Sequence, residues 1–230
     1  MSLLEVKNIS KSFDDTKIID DVSFCVDEGK IVGLLGKNGS GKTTILKMIN
    51  DLLTIDSGEI RVSGEKVGVT TKAMISYLPE RSYLQNNQKV RNILDFFGEF
   101  YADFDRGKAE RLLKDLDLSL DMNLSKMSKG MKEKVQLVLV MSRNAKLYIL
   151  DEPLGGVDPA TRDYILQTIL SNFAEGSSLI ITTHLVADVE KILDEVIIVD
   201  KGKIILNGDA DELRKKEKKS IDEIFRSVLR

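Results

Sequence analysis

The chain has 230 residues, and its 34 basic and 37 acidic side chains nearly cancel, leaving a formal charge of −3. That length is enough to bury a substantial core, and the charge balance excludes a strong overall field toward nucleic acid or an anionic membrane. Cys25 is the one cysteine, which excludes an intrachain disulfide framework and suits a reducing compartment.

The opening stretch MSLLEVKNISKSF has no long apolar run after a basic start, so no secretory signal is read in it. The longest apolar runs, such as 196–199, are far too short to cross a bilayer. Residues 3–9 and 17–27 are expected as strands, with Glu28-Gly29 as a turn. IVGLL at 31–35 reads as a fully buried strand, followed by a glycine-rich turn and a helix from about 42 to 52. Strands are expected at 59–63 and 74–78. Within 88–118, Ile93, Phe96, Phe97 and Phe100 fall at helical spacing, giving two helices. A third helix is expected from about 128 to 142, burying Val135, Leu137, Val138, Val140 and Met141. β and α then alternate: a strand at 147–150, a helix at 159–173, a strand at 178–182 and a helix at 184–193. A strand pair at 195–199 and 203–206 follows, around the turn Lys201-Gly202. The charged tail, 211–230, reads as a solvated helical face. Short apolar strands alternating with helices predict an α/β fold with a mainly parallel sheet. The β-rich opening and the helical block at 88–142 are additions to that core.

Residues Gly36-Lys37-Asn38-Gly39-Ser40-Gly41-Lys42-Thr43 fit G-x-x-x-x-G-K-[ST]. Glycines let the backbone curl its N–H groups toward anionic oxygens. The helix that follows points the positive end of its dipole at them. Lys42 supplies a point charge for the β and γ phosphates, and the Thr43 hydroxyl can ligate Mg²⁺. Further on, LYILDE at 147–152 is an apolar strand ending in two carboxylates. Ligands in a parallel sheet sit at the carboxyl ends of the strands. Asp151 is therefore expected to reach the Mg²⁺ shell, and Glu152 to orient or deprotonate an attacking water.

Together with further motifs in the same order, these residues resemble the nucleotide-binding subunit of ATP-binding cassette (ABC) transporters over nearly the whole chain. Phe13 looks like the aromatic residue that stacks on adenine, more often a tyrosine in the family. Ile75-Ser76-Tyr77-Leu78-Pro79-Glu80 resembles the loop that joins the core to the helical subdomain, with Glu80 where glutamine is usual. Met127-Ser128-Lys129-Gly130-Met131 is similar to the signature motif, with lysine in place of its first glycine. Leu154-Gly155-Gly156-Val157-Asp158-Pro159 resembles the loop that touches a second subunit, where Asp158 is the residue carried over and also suits a helix N-cap. His184, the single histidine, matches the family's switch histidine. The variants at Glu80 and Lys129 resemble exporters of the ABC-2 type.

The resemblance implies a P-loop NTPase core with a mainly parallel sheet, an N-terminal antiparallel β subdomain and an inserted α-helical subdomain. The core would take 1–87 and 144–230, and the helical subdomain about 88–143. It implies ATP and Mg²⁺ as cofactors, the metal held by Thr43, Glu80 and Asp151. Chemistry would fall to Glu152, His184 and Lys42. ATP would be bound by Phe13, the loop 36–43 and Thr44 of one subunit, and by Ser128, Lys129, Gly130, Met131 and Asp158 of the other. Partners would be a second ATPase subunit and an integral membrane permease at the cytoplasmic face of the cell membrane, and no nucleic acid is expected. A soluble ATPase acting on a ribosome or an assembly complex is the alternative. A nucleotide-gated binder without turnover is disfavoured by the presence of both Glu152 and His184.

Overall fold

The computed structural model describes residues 2–229 apart from Gln85, Gly156 and Asp158, and of Pro159 and Ala160 the backbone alone. The strands form two sheets. The first is antiparallel, in the order β2-β1-β4-β5, from β1 (Ser2–Phe13), β2 (Thr16–Asp27), β4 (Ser57–Val62) and β5 (Glu65–Lys66). The second has the order β10-β9-β3-β8-β7-β6. It contains β3 (Ile31–Leu35), β6 (Ile75–Leu78), β7 (Leu147–Asp151), β8 (Ser178–Thr183), β9 (Glu195–Asp200) and β10 (Lys203–Asp209). Its pairs β3–β8, β3–β9, β7–β8 and β6–β7 are parallel, and β10 closes the edge antiparallel to β9.

The two sheets differ in burial because their neighbours differ. Along β2, Val22, Phe24 and Val26 are buried while Asp21, Ser23 and Cys25 are exposed, the period of a sheet with one wet face. β7 and β8 are buried at every residue, as a sheet covered on both sides demands. The side chains of β7, β8 and β9 divide by parity between two cores. Leu147, Ile149, Ile180 and Ile197 join the layer shared with the antiparallel sheet and with helix α1 (Lys42–Ile49). Tyr148, Leu150, Leu179, Ile181 and Ile198 join the layer packed by the helices on the other face.

That second layer is built from α3 (Val90–Phe100), α4 (Arg106–Asp115), α5 (Lys129–Met141), α6 (Pro159–Asn172), α7 (Val186–Val189) and α9 (Ile221–Val228). A short helix, α2 (Val69–Met74), precedes β6, and α8 (Ala210–Glu217) precedes α9. Among the described residues, no helix is long and apolar enough to cross a membrane.

Several expectations need correction. Met74 ends a helix rather than opening a strand. The helix expected at 184–193 is only one turn, α7, continued by a 3-10 turn over Glu190–Ile192. The tail is not simply a solvated face: α8 is mostly exposed, but α9 buries Ile221, Ile224 and Phe225. Ser220 and Glu223 form a reciprocal capping box at the start of α9.

Candidate active site

The register of the parallel strands assembles the site. Leu35 lies opposite Thr183 and Asp151 opposite Thr182. The residues that follow each strand therefore emerge at one carboxyl edge: the loop from Gly36, the acidic pair Asp151-Glu152, and His184. The loop itself needs its glycines. Gly39 and Gly41 have φ of +78° and +109°, a backbone that L side chains rarely adopt, and a Cβ on Gly41 would meet Ile19 at 2.5 Å. The turn between β9 and β10 supports the loop from behind. The Gly202 N–H donates to the Ser40 carbonyl at 3.0 Å, and a Cβ on Gly202 would lie 2.1 Å from the Ile18 carbonyl oxygen.

Lys42 opens α1 and is buried. Its ammonium donates to the carbonyls of Gly36 at 2.8 Å and Lys37 at 3.2 Å, and lies 3.7 Å from Glu152 Oε1. Glu152 has φ of +52°, in the left-handed region, and unusual backbone of this kind gathers at functional sites. Its N–H is held by the Thr182 carbonyl at 3.1 Å and the Thr182 hydroxyl at 3.0 Å. Its Oε2 sits 2.9 Å from His184 Nδ1. The carboxylate is thus fixed between a buried lysine and a half-exposed histidine.

Asp151 is 1% exposed, and its Oδ1 accepts a 2.6 Å bond from the Thr182 hydroxyl. Burial pushes its carboxyl above the ordinary value; the bonded Thr182 hydroxyl and the nearby Thr43 hydroxyl oppose this, and the charges of Glu80 and Glu152 reinforce it. A carboxyl raised by folding makes the folded state bind more protons than the unfolded one, so its contribution to stability falls as pH rises through the folded value. Asp151→Asn is therefore expected to raise the melting temperature of the nucleotide-free chain at neutral pH. The gain should shrink as pH falls toward the ordinary carboxylate value, and thermal melts at both pH values check it. An equal gain at both would show that the Asp151 charge is not the cause.

A cavity of about 1000 Å³ opens over this edge. Its walls include Phe13, Asn38 to Thr44, Glu80, Asp151, Glu152, His184 and, on the α5 side, Lys129, Lys132 and Gln136. Among the described residues, Ser40 Oγ, Asp151 Oδ2, Glu152 Oε1 and Gln136 Oε1 are buried oxygens with no hydrogen-bond partner, and all four belong to residues lining the cavity. Buried polar atoms are normally paired, so this concentration of orphans marks a site shaped for a polar ligand.

Asp151 Oδ2 with the nearby Thr43 hydroxyl offers the hard oxygen donors that Mg²⁺ takes. Among the described residues, no group of three His, Cys, Asp or Glu side chains could hold a metal. The fit is to an ion that completes its shell with phosphate oxygens and water, which is how Mg²⁺ is commonly bound.

Not every expected residue meets the others there. Phe13, at the end of β1, does line the cavity and is exposed, with the Lys11 ammonium 5.7 Å from its ring centroid. Gly36 and Lys37 do not line the cavity; the Lys37 side chain turns away to the Leu229 carbonyl. Of Ser128 to Met131, only Lys129 lines it. Ser128 caps α5, its hydroxyl accepting from the Met131 N–H at 3.2 Å. Lys129 pairs loosely with Glu133 at 3.6 Å. A Cβ at Gly130 would meet nothing within 4 Å. Asp158 lies outside the described residues. Nothing in the sequence motifs singles out Thr182, which stands two residues before His184. Its hydroxyl donates to Asp151 and accepts from Glu152, so it sets the spacing of the acidic pair.

A parallel sheet with a glycine loop and an acidic strand end at one edge defines a P-loop nucleotide hydrolase. The family model described as "ABC transporter" matches residues 19–155, and the chain belongs to that family; it is an ATPase coupled to transport. An uncharacterized ABC transporter ATP-binding protein of Methanocaldococcus jannaschii is 33% identical over 222 residues, covering 93% of this chain and 80% of that protein. The lipopolysaccharide export system ATP-binding protein LptB of Haemophilus influenzae is 31% identical over 228 residues, covering 94% of this chain and 95% of that protein. A solved ATP-binding subunit of an ABC transporter superimposes with a TM-score of 0.89 at 30% identity, covering 100% of both chains.

Proposed function

We propose that this chain powers a membrane exporter by closing with a second ATPase subunit around ATP and reopening after hydrolysis. The observation that carries the hydrolytic part is the Glu152 carboxylate, 2.9 Å from His184 Nδ1 and 3.7 Å from the Lys42 ammonium. Lys42 and the N–H groups of the loop bind the β and γ phosphates. Thr43 and Asp151 hold Mg²⁺, with Glu80 at the adjoining wall, and the ion supplies charge neutralisation on the phosphates. Glu152 orients and deprotonates the attacking water, and His184 fixes the carboxylate and faces the γ-phosphate. Asn38 to Thr44 line the phosphate end, and Phe13 stacks on the base.

The shared site rests on the start of α5. Among the described residues, a Cβ at Gly130 would meet nothing within 4 Å, and the N–H groups of a helix start suit an anion. The segment Ser128 to Met131 would meet the γ-phosphate bound to the opposite subunit, with Asp158 at the same joint. Hydrolysis removes those contacts and shifts the population toward the open pair. Export is favoured by the likeness to the lipopolysaccharide export protein over nearly its whole length. The chain would then sit on the cytoplasmic face of the membrane, bound to an integral membrane permease.

Affinity purification of the native complex tests the transport reading. A stoichiometric integral membrane protein is expected among the partners, and a complex with soluble partners alone would reject it.

A further inference from the structure

Helix α9 reaches the ATP site from a direction that none of the motifs marks. At its C-terminal end, the Leu229 carbonyl accepts a hydrogen bond from the Lys37 ammonium. That is where the negative pole of the helix favours a cation. At its N-terminal end, the Asp222 N–H, one of the donors a helix start leaves unpaired, is taken by Glu190 Oε2 at 3.0 Å. Arg214 of α8 donates to the carbonyl of the same Glu190. Between the two ends, Ile221, Ile224 and Phe225 are buried in the same core as Val186 and Val189. Those two valines lie two and five residues after His184 in sequence.

The two ends of one short helix thus hold two segments that face the phosphates. One is the phosphate loop, where the consequence is direct: Lys42 Nζ donates to the carbonyl of Lys37 at 3.2 Å. Displacing Lys37 moves one of the oxygens that seats the catalytic ammonium. The other is the stretch from His184 to Glu190, which carries the partner of Glu152. We propose that α9 is a clamp that sets the phosphate loop and the His184 segment relative to each other, with Lys37 and Glu190 as positioning residues for ATP hydrolysis. This rests on the reading of Lys42, Glu152 and His184 as the hydrolytic group.

A merely structural helix would contribute stability without linking the two segments, and the test separates these cases. Lys37→Met, Lys37→Arg, Glu190→Ala and the double variant Lys37→Met/Glu190→Ala are compared in the whole chain. Both positions are at least partly exposed, so folding should survive, and circular dichroism melts verify it. Binding of a fluorescent ATP analogue, steady-state hydrolysis and amide hydrogen exchange over 184–192 are measured. Each single loss is expected to lower kcat about fivefold with KM nearly unchanged, and the double loss about fivefold rather than about twenty-fivefold, because both open the same clamp. Lys37→Arg should restore kcat by keeping the cation. Lys37→Met should speed exchange over 184–192, although Lys37 bonds to nothing there. A change in KM alone, additive losses, or unaltered exchange would overturn the clamp. A wild-type chain that neither binds nor hydrolyses ATP would reject the hydrolytic reading itself, and the clamp with it.

Discussion

Replacing Glu152 by glutamine is expected to lower ATP turnover about 10²–10⁴-fold, the usual worth of a positioned general base, while ATP binding is retained. Glutamine keeps the length of the side chain and can still meet His184 Nδ1 through its amide. It cannot accept the proton of an attacking water at neutral pH. It also removes the negative partner of Lys42, whose ammonium lies 3.7 Å from Glu152 Oε1 with both side chains nearly buried. Lys42 then has less reason to stay with Glu152 and more to face a phosphate, so affinity for ATP should hold or rise. Under the shared-site reading, the variant should accumulate as an ATP-bound pair, visible by size-exclusion chromatography with Mg²⁺ and ATP. Steady-state turnover and ATP binding measured side by side check this. Unchanged turnover would remove Glu152 from the role of base. Lost ATP binding would instead make the carboxylate a structural support of the loop.

The reason Glu152 stands there is partly local and partly not. The strand LYIL and the acidic pair after it are legible in the sequence, as is the glycine loop, because both are fixed by short-range chemistry. That they meet depends on strand register. Asp151 sits opposite Thr182 and Leu35 opposite Thr183, a pairing across the sheet that no local pattern encodes. Thr182 had a readable place, two residues before His184, but its double hydrogen bond exists only once β7 and β8 are in register. Likewise Lys201-Gly202 reads as an ordinary hairpin turn. Only the fold shows that the turn presses against Ile18 and holds the Ser40 carbonyl.

Helix α9 carried a signal that its charged surroundings hid. Ile221, Ile224 and Phe225 fall at helical spacing, and Ser220 with Glu223 fits a capping box. The run of lysines before it dominated the composition of the tail. The misplaced boundary at Met74 has a different cause. Residues 69–74 begin with three β-branched residues, which favour strand over helix, and the helix forms with the Thr71 hydroxyl accepting from the Gly68 N–H and donating to the Gly68 carbonyl.

Arg143→Met is expected to cost about 1–3 kcal/mol of stability, the usual penalty for leaving buried hydrogen-bonding groups without a partner. Arg143 is 4% exposed and follows α5 at the point where the helical block rejoins the core. Its guanidinium donates to Asp103 at 2.9 and 3.1 Å, to the Ile75 carbonyl at 2.6 Å and to the Ala73 carbonyl at 2.6 Å. Its flat face covers the Tyr101 ring at 3.9 Å. Methionine fills the volume but leaves two carbonyls and a carboxylate without their donor. Denaturant unfolding measures the loss, and Arg143→Lys is the control that identifies its source. Lysine keeps the charge but lacks the planar fork that serves three acceptors at once, so it should recover only a minor part. Full recovery with lysine would mean that charge alone matters there. The same contacts bind Tyr101 and Asp103, between α3 and α4, to the entry of β6, whose far end leads to Glu80. An Arg143→Met chain held folded by mild conditions should therefore lose ATP turnover as well, because the α5 wall and the Glu80 wall of the cavity are no longer held in one frame.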